Sequence, residues 1–111
     1  MKKWILALAF FAIAVTANAA IRTEVIEYKD GEVALEGFLA WDDAATGPRP
    51  AVIVAHAWMG LGDFARGKAE ALAKLGYVAF AAELYGKGGR PKNNDEAKAE
   101  TAKYYPDRSI I

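Results

Sequence analysis

The residues able to do acid–base or covalent chemistry are few in this chain: one histidine (His56), one serine (Ser109) and no cysteine among 111 residues. Acyl transfer needs a nucleophile, a base to take its proton and an acid to orient that base. A serine nucleophile sits on a strained G-x-S-x-G turn that tolerates only small neighbours. Ser109 instead lies between Arg108 and Ile110. His56 falls early, on the first loop of the sheet described below. No arrangement of the two supplies nucleophile and base, so these residues do not complete a triad. The lack of cysteine excludes disulfides, zinc–thiolate sites and a cysteine nucleophile within the chain. No second ligand stands at a useful spacing from His56, so no metal is expected, and no cofactor is called for.

Two segments are placed to hold a ligand, residues 56–62 (HAWMGLG) and residues 83–90 (ELYGKGGR). Both follow apolar runs, and in open α/β sheets ligands bind beyond the carboxyl ends of the strands. One reading is a dinucleotide site. Gly60, Gly62 and Ala65 fit G-x-G-x-x-A, and Glu83 lies about twenty residues on, where a ribose-binding carboxylate belongs. Against it, the four residues 56–59, Trp58 and Met59 among them, separate the motif from the strand end. Asp63 would also repel a pyrophosphate at the helix N-terminus, and an exported chain meets little nicotinamide cofactor. Residues 86–89 lack the P-loop frame. The other reading is a hydrolase: an apolar strand ending in a short His-x-x-x-Gly loop, residues 56–60.

The elements that must carry these loops follow from periodicity. Residues 21–28 read as a strand, and Asp30-Gly31 signals a two-residue hairpin turn of type I′, with positive φ at both central positions. Val33, Leu35, Leu39 and Trp41 alternate with Ala34, Glu36 and Phe38, a half-buried strand. Residues 42–50 contain Gly47, Pro48 and Pro50 and form a loop. The run AVIVA (51–55) suits a strand covered on both faces. Asp63 is expected to cap a helix over 63–75. Phe64, Ala65, Ala69, Leu72 and Leu75 lie on its apolar face, with Arg66, Glu70 and Lys74 opposite and Lys68 snorkelling from the arc's edge. Gly76 stops it. Residues 77–84 form a second buried strand, parallel to 51–55 through a right-handed crossover. Asn93 with Glu96 forms a capping box for a helix to about Tyr105. Pro106 ends that helix, and Asp107 looks like the cap of a third. The fold class is thus α/β: an antiparallel hairpin followed by a βαβ parallel sheet, incomplete, whose last parallel strand leaves an open edge.

Composition agrees with a globular chain, 54% apolar and 25% charged with zero formal net charge. It offers no basic stripe for nucleic acid. Lys2 and Lys3, an apolar run over 4–15 and Ala17-Asn18-Ala19 make a cleavable signal of residues 1–19. The run is shorter than the roughly 20 residues a spanning helix needs. The expectation is export to the periplasm or secretion, with no stable membrane anchor after cleavage and a mature domain over 20–111.

The order of these motifs resembles the dienelactone hydrolase family, within the α/β-hydrolases. AVIVAHAWMGLGDF is similar to that family's strand and oxyanion loop. LGYVAFAAELYGKG is similar to its next strand, which commonly ends in P-D-L-Y-G, with Glu83 where Asp is usual. The resemblance covers residues 21–111 and implies the N-terminal part of an α/β-hydrolase domain. It implies hydrolysis of a small-molecule carboxylic ester or lactone through a Ser or Cys nucleophile, a His base and an Asp. The backbone N–H of Trp58 then becomes one oxyanion donor, and His56, Ala57, Met59 and Tyr85 the substrate pocket. The chain departs from the family at Ala57, where members often carry Glu, which puts glutamate-gated activation of a thiol in doubt.

Each of these residues also has a plainer role. His56 can hydrogen-bond locally to shape its loop. Trp58 and Tyr85 can be ordinary packing, and Tyr104 and Tyr105 on the second helix can either face the same cleft or pack, packing being the plainer reading. Lys87, Arg90 and Lys92 can be a solvated loop rather than an attractor for a carboxylate substrate. A short non-catalytic protein that binds a partner through its open sheet edge is the third reading.

Overall fold

A computed structural model describes residues 20–107. The expected signal segment and third helix, with Ser109, lie outside the described residues. Six elements follow in order: β1 (Ile21–Asp30), β2 (Val33–Asp42), β3 (Ala51–Ala55), α1 (Asp63–Lys74), β4 (Val78–Ala82) and α2 (Asn94–Ala102). One sheet has the strand order β1-β2-β4-β3. β1 and β2 are antiparallel, β2 is antiparallel to β4, and β3 is parallel to β4.

The hairpin turn is Gly31-Glu32, one residue later than expected, because Asp30 pairs with Val33. Gly31 has φ +56°, and among the described residues no non-glycine residue has positive φ. Glycine at the first central position followed by a residue at negative φ is the pattern of a type II′ turn, not type I′. Asp30 closes the ladder instead of occupying the turn.

The sheet packs on α1 through small residues. Phe38 and Ala40 of β2, Ala79 and Ala81 of β4, and Ala65, Ala69 and Ala73 of α1 form the core with Leu61. Five of these alanines, at 40, 69, 73, 79 and 81, are fully buried. Their short side chains let helix and sheet backbones approach closely. Of the expected arc, Ala65, Ala69 and Leu72 face the core, joined by Ala73, whereas Phe64 and Leu75 are 76% and 75% exposed. Arg66 is not on the outer face but lies over the Phe38 ring, 5.3 Å from its centroid. Lys68 is exposed, with its ammonium over Phe64.

The N-cap of α1 is Gly62, without a side-chain cap, and Asp63 is the first helical residue, where its charge still favours the positive helix end. At the other end Gly76 N–H donates to Ala73 O and Tyr77 N–H to Leu72 O. With Gly76 at φ +95°, this is a Schellman stop. The α2 capping box is present: Glu96 N–H donates to Asn93 Oδ1 at 2.9 Å.

On the opposite face, Gly37 makes room for Phe80, since a Cβ there would sit 2.3 Å from the ring. Phe80 meets Tyr28 edge-on at 5.6 Å between centroids. Among the described residues the open edge on the parallel side is β3, not β4, because β4 is paired on both sides. The AVIVA strand is not covered on both faces among the described residues: Ile53 is 75% exposed.

Two substitutions separate packing from propensity. Ala69→Leu should lower unfolding free energy by about 1–3 kcal/mol, since the added carbons have no space between helix and sheet. Gly67→Ala adds a Cβ with nothing within 4 Å and should raise it by about 0.5–1 kcal/mol. Urea denaturation of each chain measures both.

Candidate functional site

The site is built by strand pairing. Ala55 pairs with Ala82 at the end of the parallel ladder, so the next residues, His56 and Glu83, emerge side by side. Glu83 is 6% exposed. A buried carboxylate survives only if its oxygens find donors. Oε1 accepts Leu84 N–H and Tyr85 N–H, each at 2.8 Å, and Oε2 accepts Leu61 N–H at 3.3 Å. His56 Nε2 stands 3.2 Å from Oε1. Burial pushes the Glu83 pKa up, but His56 and the backbone donors outweigh it and hold the carboxyl at about 2. Burial pushes His56 down, and its bonds to Glu83 and Ala57 O outweigh that, so its pKa is raised.

Tyr28 brackets the same strand end from β1. Its hydroxyl donates to Glu83 O at 2.7 Å and accepts Glu83 N–H at 2.9 Å. Glu83 thus has both its backbone and its side chain pinned.

The loop after β3 is held by one carbonyl. Ala57 O accepts Nδ1–H of His56 at 2.7 Å and Gly60 N–H at 2.9 Å. A carbonyl can only accept, so Nδ1 carries a proton. The Tyr85 hydroxyl donates to Trp58 O at 2.9 Å. Trp58 N–H has no acceptor among the described residues. It is a free backbone donor in a loop whose carbonyls are all engaged from Ala57 to Trp58.

Trp58 lines a cavity of about 370 Å³. His56, Ala57 and Trp58 form one wall, Leu84 and Tyr85 a second, and Thr101, Tyr104 and Tyr105 a third. The Tyr104 hydroxyl donates to Leu84 O, and the Tyr85 and Tyr104 rings stand 6.1 Å apart. Burial raises the pKa of both tyrosines, so they remain neutral hydroxyls.

Of the residues singled out from the sequence, His56, Ala57, Trp58 and Tyr85 converge on this cavity. Met59 does not line it, because the chain turns away at Gly60 to enter α1. Tyr104 and Tyr105, read first as packing, form its third wall. Lys87 turns away and pairs with Glu27 and Glu36. With Arg90 it lines a separate polar cavity of about 190 Å³. The basic loop therefore does not face the larger cavity. Sequence reasoning missed the His56–Glu83 pair. Its signal was positional: each is the first residue after one of two parallel strands.

Glu83 is also not available to a ribose, since its oxygens are committed to His56 and three backbone donors. No cluster of metal-ligating residues occurs among the described residues.

An antiparallel hairpin feeding a parallel strand–helix–strand unit, with two loops meeting around a cavity beyond the same strand ends, is the architecture of an α/β-hydrolase-type sheet. The chain belongs to the dienelactone hydrolase family, whose sequence profile matches residues 35–108. It is 36% identical over 80 residues to a Yersinia pestis protein named as a carboxymethylenebutenolidase, covering 69% of this chain and 30% of that protein. It is 33% identical over 107 residues to the Escherichia coli (strain K12) hydrolase fragment YghX, covering 83% of this chain and 90% of that one. Among solved structures, m3DLH superposes with a TM-score of 0.77 at 36% identity over 81% of this chain. A dienelactone hydrolase-like promiscuous phosphotriesterase from metagenomic libraries superposes with a TM-score of 0.78 at 32% identity over 84% of it. The chain spans 38% of each of those two structures.

The ion pair sets a pH window. Glu83 has its pKa lowered from 4.5 to about 2, so its contribution is full above 4.5 and fades as pH falls toward 2. His56 has its pKa raised from 6.5, so its contribution is full below 6.5 and fades as pH rises through the folded value. Thermal unfolding should give the highest Tm between about pH 4.5 and 6.5. Glu83→Gln should flatten both limbs.

Proposed function

We propose that the complete protein hydrolyses carboxylic esters or lactones, and that this chain provides half of its oxyanion hole and the aromatic wall of its substrate pocket. One observation carries the reading: the Trp58 N–H is unpaired, sits on a loop fixed through its carbonyls, and lies at a cavity of ester size. A nucleophile adding to a carbonyl carbon leaves a tetrahedral centre whose oxygen takes the negative charge. A preaimed N–H stabilises that oxygen more than the ground-state carbonyl, which lowers the barrier. Collapse expels the alkoxide, and water then releases the acid. The nucleophile, its base and the orienting acid come from residues other than these 111, because neither His56 nor Ser109 stands in a triad frame. His56 is engaged with Ala57 O and Glu83 instead. The name of the Yersinia pestis relative points to the same class of substrate.

The protein is also proposed to be exported, by the signal pattern of residues 1–19, to the periplasm or beyond. No helix among the described residues is long and apolar enough to cross a membrane.

A chimaera in which residues 20–107 replace the matching part of m3DLH should hydrolyse p-nitrophenyl acetate, whereas the 111-residue chain alone should not exceed the uncatalysed rate. Trp58→Pro in the chimaera removes the donor and should lower kcat by about 10²–10³. Unchanged turnover in a folded proline variant would remove Trp58 from the reaction. For export, N-terminal sequencing of the chain recovered from a periplasmic extract should begin at Ala20; a start at Met1 would rule out cleavage.

A further inference from the structure

The peptide that offers the free N–H is held at its other end by a titratable group. Ala57 O and Trp58 N–H belong to one amide, and the oxygen accepts His56 Nδ1–H at 2.7 Å. His56 Nε2 in turn stands 3.2 Å from Glu83 Oε1, the two side chains being 2% and 7% exposed. Three backbone N–H groups fix the carboxylate. Carboxylate, imidazole, carbonyl and N–H therefore form one chain ending at the cavity.

We propose that His56 and Glu83 are positioning residues that aim and polarise the Ala57–Trp58 amide, making Trp58 N–H a stronger donor to the oxyanion. A cation at the carbonyl end of an amide draws electron density from its nitrogen. That makes the proton at the far end more positive. Hydrogen bonds in series strengthen one another in this way. The proposal rests on the reading of Trp58 as the oxyanion donor.

The geometry lets charge change without moving the loop. Nδ1 must keep its proton in either state, because its partner is a carbonyl. Only Nε2 changes. Protonated, it donates to Glu83 Oε1. Neutral, it can accept Leu84 N–H, 3.3 Å away. The titratable groups around the imidazole are Glu83 and Tyr85 after β4, Tyr104 after α2, and Tyr28 of β1 behind Glu83. The three tyrosines are uncharged near neutrality, so Glu83 sets the imidazole's charge. The role differs from general base catalysis: His56 touches no reacting atom and acts through the peptide.

The test is a pH series of ¹H–¹⁵N spectra on the full 111-residue chain, following the Trp58 amide and the His56 ring nitrogens. The expected result is a Trp58 amide shift that titrates with the His56 midpoint. Glu83→Gln should lower both midpoints together by about one pH unit or more. Tyr85→Phe, which removes a bond to Trp58 O but none to His56, should leave the midpoint in place. A purely structural contact would leave the Trp58 amide flat, since the Nδ1–H bond persists in both states. A flat Trp58 amide beside a titrating His56 would overturn the proposal in the unaltered chain, whatever the variants do. Failure of the underlying reading looks different: Trp58 would track His56, yet turnover of the chimaera would ignore Trp58→Pro.

Discussion

A carboxylate taken out of water must be surrounded by donors or it gives up its charge. The loops of this protein are arranged around one such group. Glu83 stands at the end of β4, draws in the amides of Leu61, Leu84 and Tyr85, and faces the imidazole of His56. The donors come from two loops: His56 and Leu61 from the segment between β3 and α1, and Leu84 and Tyr85 from the segment after β4. Satisfying one charge therefore joins two loops that the sequence separates by more than twenty residues. The shape of the cavity is a consequence of that requirement.

The scaffold behind the carboxylate is suited to holding it still. Alanines at the α1–sheet contact bring the helix close, and its N-terminus arrives directly after Leu61. Gly37 leaves the space that Phe80 fills, and Tyr28 lies against Phe80 to reach the backbone of Glu83 with both functions of its hydroxyl. The donor loop is in turn pinned through two carbonyls, Ala57 O and Trp58 O, by His56, Gly60 and Tyr85. A backbone N–H is useful to catalysis only when it needs no reorganisation at the moment charge develops. Here that preorganisation traces back to the buried pair and not to the Trp58 side chain, whose indole is 46% exposed.

Much of the site's third wall comes from outside the two loops. Tyr104 and Tyr105 follow α2, a helix started by the Asn93–Glu96 box. Tyr104 is tied to the loop after β4 through Leu84 O. The wall is largely aromatic and uncharged, while Lys87 nearby turns to Glu27 and Glu36.

The sequence alone determined the order and type of the elements, the hairpin, the parallel strand–helix–strand unit, both helix boundaries near Gly76 and Asn93, and the loop that ends in Trp58. These are local matters, settled by periodicity, turn glycines and capping side chains. It misplaced the turn by one residue, the open edge by one strand and, in α1, the burial of Phe64 and Leu75, because register and coverage depend on neighbours. It did not reveal that Glu83 serves His56, and it left Tyr104 between the cleft and ordinary packing. Those facts were decided by the tertiary structure, for a physical reason: the cost of burying a carboxylate is met by whichever donors strand pairing brings near, and that pairing joins residues with no local relation in the chain.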